Sequence, residues 1–125
     1  MNAGDTFLMP DAIGSHLYCV LAVLEDGSII VCHLTTNRRH SDRTCLIQPG
    51  DHSFIKQETS VAYVSAFVCS GGDQLAAFER QIRRPFEPLS EGLLARMRSG
   101  ALASQETPDK IKELLRPFVR TRQGS

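Results

Sequence analysis

The 125-residue chain contains no tryptophan, and only 6% of its residues are aromatic. Stacking of single-stranded nucleic acid needs exposed aromatic side chains, and only Tyr18 and Tyr63 are candidates. Its four cysteines form no C-x-x-C pair, and the sequence has neither a glycine-rich phosphate loop nor a local hydrolase signature. These absences argue against zinc sites of the paired-cysteine kind, P-loop enzymes and hydrolases with a recognisable motif. No metal site and no cofactor are predicted.

Long hydrophobic runs and an excess of charge of one sign are also absent. The longest apolar stretch, residues 17–24, has eight residues and is too short to cross a bilayer. No signal peptide is visible, so we expect a cytoplasmic protein with reduced thiols and no membrane partner. Residues 1–69 hold four basic against seven acidic residues, and residues 70–125 hold ten against seven. That asymmetry is too mild to indicate nucleic-acid binding by itself.

Short apolar runs separated by turn residues fill the first half of the chain. The predicted strands cover residues 6–9, 16–25, 28–36, 44–47, 53–55 and 61–68. Such spacing without intervening helices indicates a small antiparallel barrel or sandwich. Residues 1–125 should therefore form one β+α domain, with a β-barrel half over residues 4–69 and a helical tail over residues 72–119.

The strongest local signal is Asp26-Gly27 between two β-branched runs, which predicts a hairpin with a two-residue turn. That register places Val20 opposite His33 and Cys19 opposite Leu34. One face of the hairpin is then apolar, whereas the other becomes polar at its open end. The polar end carries five residues, which are His16, Tyr18, His33, Thr35 and Asn37.

Two or three helices are predicted after Gly72. Leu75, Phe78 and Ile82 recur at helical spacing up to Pro85. Ser90 caps a second helix that ends near Gly100. A third begins after Thr107 and carries an apolar stripe suited to packing on the barrel or to a dimer interface.

Several strings in this order resemble the PemK/MazF-like toxin superfamily, whose members are small SH3-like barrels related to the CcdB fold. They include Gly4-Asp5 before the first strand, the long hairpin and Leu34-Thr35-Thr36. A closer resemblance, to a group of bacterial proteins of similar size, adds the strings at residues 16–17, 42–47, 50–55 and 60–63. The resemblance implies a MazF-like barrel, metal-independent cleavage of single-stranded RNA, a homodimer and a cognate antitoxin.

Metal-independent RNA cleavage needs a base, an acid and a cation or donor for the phosphorane. His16 and His52 are the candidates for proton transfer, with Thr35 as a catalytic hydroxyl donor. The candidates for holding the substrate are Tyr18, Thr36, Arg38, Arg39, Lys56, Ser60 and Tyr63.

Each candidate also has a structural interpretation. His16 could bond a neighbouring backbone group, and His52 could close the turn after Pro49-Gly50-Asp51. His33 suits a core or groove position, and the basic loop at residues 37–43 suits plain solvation. The toxins carry an Arg-Pro pair where this chain has Ser15-His16-Leu17. That departure favours the alternative of a non-catalytic barrel that binds an antitoxin-like, phage or regulatory protein.

Overall fold

A computed structural model describes residues 1–11 and 14–119 of the chain. Within that part the chain forms seven strands, three α-helices and two 3-10 helices. The strands are β1 (Thr6–Asp11), β2 (Gly14–Val23), β3 (Ile29–Thr36), β4 (Leu46–Ile47), β5 (Thr59–Val61), β6 (Phe67–Cys69) and β7 (Arg84–Phe86). The helices are α1 (Asp73–Glu79), α2 (Glu91–Ala103), α3 (Asp109–Leu115) and the 3-10 helices Tyr63–Ser65 and Arg116–Phe118.

All seven strands belong to one antiparallel sheet of order β4-β5-β3-β2-β1-β7, with β6 also paired to β3. The sheet is open, since β4 and β7 lie at its two edges without pairing to each other. The predicted β+α class is therefore confirmed, whereas the closure of an SH3-like barrel is not. The hairpin of β2 and β3 forms the centre of the sheet.

The hairpin turn is one residue longer than the sequence predicted. Residues 25–27 form the loop, because Leu24 N–H donates to Ser28 O at 2.8 Å and Gly27 N–H donates to Leu24 O at 3.0 Å. Gly27 has a φ of +85°, but no non-glycine residue of the described chain has a positive φ. A two-residue turn would require one at Asp26, so the three-residue turn forms instead.

A second register shift lies at Leu21, between the pairs Val20↔Val31 and Ala22↔Ile30. Together the two shifts make the predicted register wrong: Tyr18 faces His33, and Cys19 faces Cys32 rather than Leu34. The shift also sends Leu21 and Ala22 into the same core cluster. Arg98 of α2 stabilises this irregular point, because its Nε donates to Leu21 O at 2.7 Å.

The run predicted as one strand over residues 61–68 is interrupted. β5 pairs with the end of β3 and β6 with its beginning, and the 3-10 helix Tyr63–Ser65 separates them. The predicted strand over residues 53–55 is wrong, since that stretch is a turn in which Ile55 N–H donates to His52 O. The strand predicted over residues 44–47 is reduced to Leu46 and Ile47.

The tail is not purely helical, which corrects the division at residue 72. β7 pairs with β1 as an edge strand of the sheet, and Pro85 lies in it. An edge strand accepts proline because its outer side needs no N–H donor. Ser90 caps α2 as predicted, since its Oγ accepts from Leu93 N–H at 3.1 Å, and α3 begins at Asp109. The first helix ends at Glu79, so Ile82 lies outside it, and α2 continues past Gly100 to Ala103.

Both faces of the sheet are covered. The larger core packs α2 and α3 against one face and centres on fully buried side chains such as Leu17, Leu21, Tyr63 and Met97. A smaller core packs Leu75, Phe78 and Ile82 against Phe7, Met9, Val20, Ile29 and Val31 on the other face. Since both faces are buried near the turn of the hairpin, accessible polar groups gather at its open end.

Candidate functional site: the strand-end cleft

The central sheet splits at the open end of the hairpin. Pairing between β2 and β3 stops at Tyr18↔His33. Beyond this pair, His16 and Leu17 of β2 pair with β1, whereas Leu34, Thr35 and Thr36 of β3 pair with β5. The two strands therefore diverge, and a cleft opens between them.

We call this space the strand-end cleft. It has a volume of about 320 Å³ and is closed at one side by the loop that follows His52. Its lining residues are Ser15, His16, Leu17, Leu34, Thr35, Thr36, Arg38, Phe54, Ile55, Lys56, Gln57 and Thr59. Two of the twelve are charged, and both are basic, so the cleft favours an anionic ligand.

Five of the predicted site residues line this cleft, namely His16, Thr35, Thr36, Arg38 and Lys56. His16 and the two threonines come from the diverging strands, whereas Arg38 and Lys56 come from the loops after β3 and before β5. Arg38 and Lys56 are exposed, and His16 is half-buried. An imidazole, hydroxyl groups and two cations thus meet in one concave place.

His52 lies outside the cleft and has a structural role. Its ring is buried, its Nδ1 accepts from Phe54 N–H at 3.1 Å, and its Nε2 lies 2.8 Å from Glu87 O. Because Nδ1 accepts, the proton of the neutral ring is on Nε2, which donates to Glu87 O. The structure therefore does not bring His16 and His52 together as an acid–base pair, and His52 fastens its loop to the segment before α2.

Glu87 completes this fastening. Its carboxylate accepts from Ser53 N–H at 3.2 Å. Hydrogen bonding to Ser53, chiefly to its side chain, lowers the pKa of Glu87 against a smaller opposing effect of burial. The loop that carries Phe54, Ile55 and Lys56 into the cleft is thus held at its base by two residues.

Ser60 and Tyr63 are also buried away from the cleft. Ser60 Oγ donates to Thr35 O at 3.4 Å, and the Tyr63 hydroxyl donates to Met97 O at 2.7 Å. Burial raises the pKa of the Tyr63 phenol strongly. Both residues stabilise the sheet and its contact with α2 rather than touch a ligand in the cleft.

The basic loop is ordered by its own polar groups. Ser41 Oγ accepts from Arg38 N–H at 2.8 Å, and Asp42 accepts from Thr44 N–H at 2.9 Å. Burial alone would raise the pKa of Asp42, but hydrogen bonds from Ser104 and Thr44 outweigh it and lower that pKa. Arg39 is exposed and lies outside the cleft lining, so Arg38 is the arginine of this loop that faces it.

Tyr18 belongs to a cluster of rings beside the cleft. The ring centroids of Tyr18 and His33 are 5.3 Å apart, and those of His33 and His16 are 5.0 Å apart. Phe7 stacks on the far side of Tyr18 at 6.5 Å with an interplanar angle of 9°. His33, for which the sequence favours a core or groove position, is half-buried next to the cleft.

Sequence reasoning missed Phe54, Ile55 and Gln57 as lining residues. They belong to the stretch that was predicted in part as a strand, so their side chains were not assigned to the hairpin end. Gln57 Nε2 donates to Thr36 Oγ1 at 3.3 Å across the cleft. Nothing in the string from Gly50 to Ile55 indicates which wall of a cleft it forms.

Two other cavities lie along α2. One, of about 700 Å³, is lined mainly by small and apolar residues between the N-terminus, α2 and Phe118. The other, of about 480 Å³, lies between α2 and the residues around β4. Neither gathers several hydroxyl, imidazole and cationic groups as the strand-end cleft does, and such convergence is typical of a binding site.

No group of three His, Cys, Asp or Glu side chains in residues 1–11 and 14–119 is arranged to hold a metal ion. All four cysteines have free thiols and are buried. No described helix is both long enough and apolar enough to cross a bilayer.

No model of a known protein family matches the chain, and no curated protein sequence matches it.

Proposed function

We propose that this chain binds single-stranded RNA in the strand-end cleft, as a cytoplasmic relative of the PemK/MazF-like toxins, and cleaves it slowly without a metal ion. One observation carries the proposal: His16, Thr35, Thr36, Arg38 and Lys56 line a single cleft, and none of the described residues that line it is acidic. The open sheet is then an opened form of the SH3-like barrel. A homodimer and an antitoxin that fills the cleft complete the proposal by resemblance.

Phosphate binding follows from the two cations. Arg38 and Lys56 come from different loops and both line the cleft, so an RNA backbone passing through it meets two positive charges. Hydroxyl groups of Thr35 and Thr36 add neutral donors to phosphate oxygens. Contacts of this kind give an affinity that falls as salt rises.

Cleavage needs one imidazole in contact with the sugar. The 2′-oxygen attacks phosphorus, His16 takes the 2′-hydroxyl proton, and the 5′-oxygen leaves with a proton from the Lys56 ammonium. The products are a 2′,3′-cyclic phosphate and a free 5′-hydroxyl. Since the ring of His52 is committed to Phe54 and Glu87, His52 does not serve as the second proton-transfer group. A positioned acid or base contributes roughly 10²- to 10⁴-fold, so slow cleavage is expected.

Binding is tested with a fluorescent single-stranded RNA and three alanine variants. Arg38→Ala and Lys56→Ala should each weaken binding and reduce the slope of log affinity against log salt by roughly 0.7. Arg39→Ala removes the same charge from the next position of the loop, outside the cleft, and should leave most of the affinity intact. Equal losses in all three variants would indicate diffuse attraction and contradict the cleft as the binding site.

Cleavage is tested on the same RNA by mass spectrometry of the products. The wild-type protein should produce 2′,3′-cyclic phosphate ends, and His16→Ala should lose that activity while it still binds. Induced expression should arrest growth only with the active protein. Cyclic-phosphate ends produced equally by His16→Ala would refute the role of His16.

The second candidate is a non-catalytic module that binds a protein partner. It is favoured by the engagement of both His52 ring nitrogens and by the absence of an Arg-Pro pair before Leu17. The candidate partners are an antitoxin-like, phage or regulatory protein. Harmless expression together with intact RNA would support this candidate against the first.

A further inference from the structure

The ring cluster beside the cleft has a geometry of its own. Tyr18 and His33 are directly opposite each other on β2 and β3, and His16 is two residues before Tyr18 on the same strand. Alternation along a strand places these three side chains on one face of the sheet. Their rings are inclined to each other by 38° and 52°, and all three side chains are half-buried.

The cluster is supported from behind. Phe7 stacks against Tyr18, and Phe78 of α1 meets Phe7 edge to face with centroids 5.7 Å apart. Phe7 is 2% exposed, so the position of Tyr18 is fixed by packing rather than by solvent. A ring held in this way loses little conformational entropy when a flat ligand stacks on it.

We propose that Tyr18, His33 and His16 form a base-stacking platform that continues the strand-end cleft. The proposal rests on RNA binding as proposed above and adds how the bases, as opposed to the phosphates, are held. His16 belongs to both the cluster and the cleft lining, so it joins the two. An RNA strand held at its phosphates by Arg38 and Lys56 places neighbouring bases over Tyr18 and His33.

Sheet-borne aromatic rings bind splayed bases in other RNA-binding folds by the same physics. Stacking of this kind tolerates different sequences, because every base has a π-face. The platform therefore takes a single-stranded segment of a few nucleotides, with little preference among the bases. It excludes a duplex, whose bases are already stacked on one another.

The experiment compares two fluorescent strands of equal length and charge, one an oligouridine and the other an abasic ribose-phosphate chain. One stacked base is worth about 5- to 150-fold in affinity, so the wild-type protein should bind the oligouridine tighter by at least that lower factor. Tyr18→Leu should lose most of this preference while it binds the abasic strand as before. Tyr18→Phe keeps the ring and should keep the preference.

The outcomes separate the two proposals. Equal affinity of the wild-type protein for both strands, with losses in Arg38→Ala and Lys56→Ala, overturns the platform and leaves RNA binding in place. Absence of binding to either strand overturns RNA binding and the platform with it. If circular dichroism shows that Tyr18→Leu does not fold, His33→Leu replaces it, and the comparison of strands in the wild-type protein still decides.

Discussion

Histidine is the residue type whose part depends most on where its two ring nitrogens lie. His52 follows Pro49-Gly50-Asp51 in the sequence, which leaves both a catalytic and a turn-closing role open. In the structure one nitrogen accepts from Phe54 and the other faces Glu87 O, so the structural reading is the better supported. His16 and His33, by contrast, lie half-buried against each other beside the cleft.

His52→Ala should lower the free energy of unfolding by about 2–4 kcal/mol, because it removes a buried ring and leaves two backbone groups without their partner. Urea unfolding at neutral pH measures the loss. His40→Ala is the matched control, since His40 is exposed in the basic loop, and it should change stability by less than about 0.5 kcal/mol. A His52→Ala protein as stable as the wild type would contradict the fastening role of this ring.

Helix α2 has no room for a side chain at Gly100. A Cβ at Gly100 would collide with the Tyr63 hydroxyl and would lie 3.0 Å from the Cβ of Cys45. The hydroxyl cannot move away without losing its bond to Met97 O in the same helix. Gly100 therefore lets α2 approach the sheet closely.

Gly100→Ala should destabilise the protein by about 1–3 kcal/mol through this overpacking, although alanine is the better helix former. Gly92→Ala lies in the same helix, and a Cβ there meets nothing within 4 Å. That control should be stabilised by about 0.5–1 kcal/mol, as propensity predicts. Thermal unfolding of both variants measures the two opposite signs, and a stabilised Gly100→Ala would show that the contact can relax.

The sequence predicts those elements that local chemistry decides. The hairpin around Asp26-Gly27 forms, although with a longer turn than predicted, and the Ser90 cap and the start of α3 are confirmed. The register of β2 against β3 could not be predicted from local sequence, because the bulge at Leu21 is stabilised by Arg98, which is distant in the chain. β7 was missed for the same reason, since Arg84 and Phe86 form a strand only where β1 offers an edge.

The candidate site was predicted in part. The sequence predicts the hairpin, and the residues that flank its open end meet in the cleft, namely His16, Thr35, Thr36 and Arg38. The divergence of β2 and β3, which creates the cleft, depends on whether β1 or β5 pairs with each strand. No local pattern encodes that choice, so Phe54 and Gln57 could not be assigned to the opposite wall.

At the scale of the molecule, carboxylates accept hydrogen bonds that connect segments distant in sequence. Ser104 Oγ, just after α2, donates to Asp42 at 2.5 Å, and Glu87 accepts from Ser53 N–H. Glu58 accepts from Asn37 and Gln48, each at the end of a different strand. Hydrogen bonds lower the pKa values of these carboxyls below their ordinary values of 3.8 for Asp42 and 4.5 for Glu58 and Glu87.

A lowered pKa in the folded state means that each carboxylate stabilises the fold when it is charged. This contribution is fully present above the ordinary values and is lost as pH falls through the lowered folded values. Melting temperatures measured at pH 7, 5, 4 and 3 should therefore decrease once the pH is below about 4, and protonation of these carboxylates contributes to that decrease.

Asp42→Asn and Glu87→Gln should each melt at a lower temperature than the wild-type protein. This difference in melting temperature should be largest at pH 5 to 7 and should shrink toward pH 3. Glu113→Gln, at an exposed position of α3, should follow the wild-type curve throughout. A deficit in Asp42→Asn or Glu87→Gln that stays constant down to pH 3 would mean that the charge of these carboxylates is not what holds the segments together.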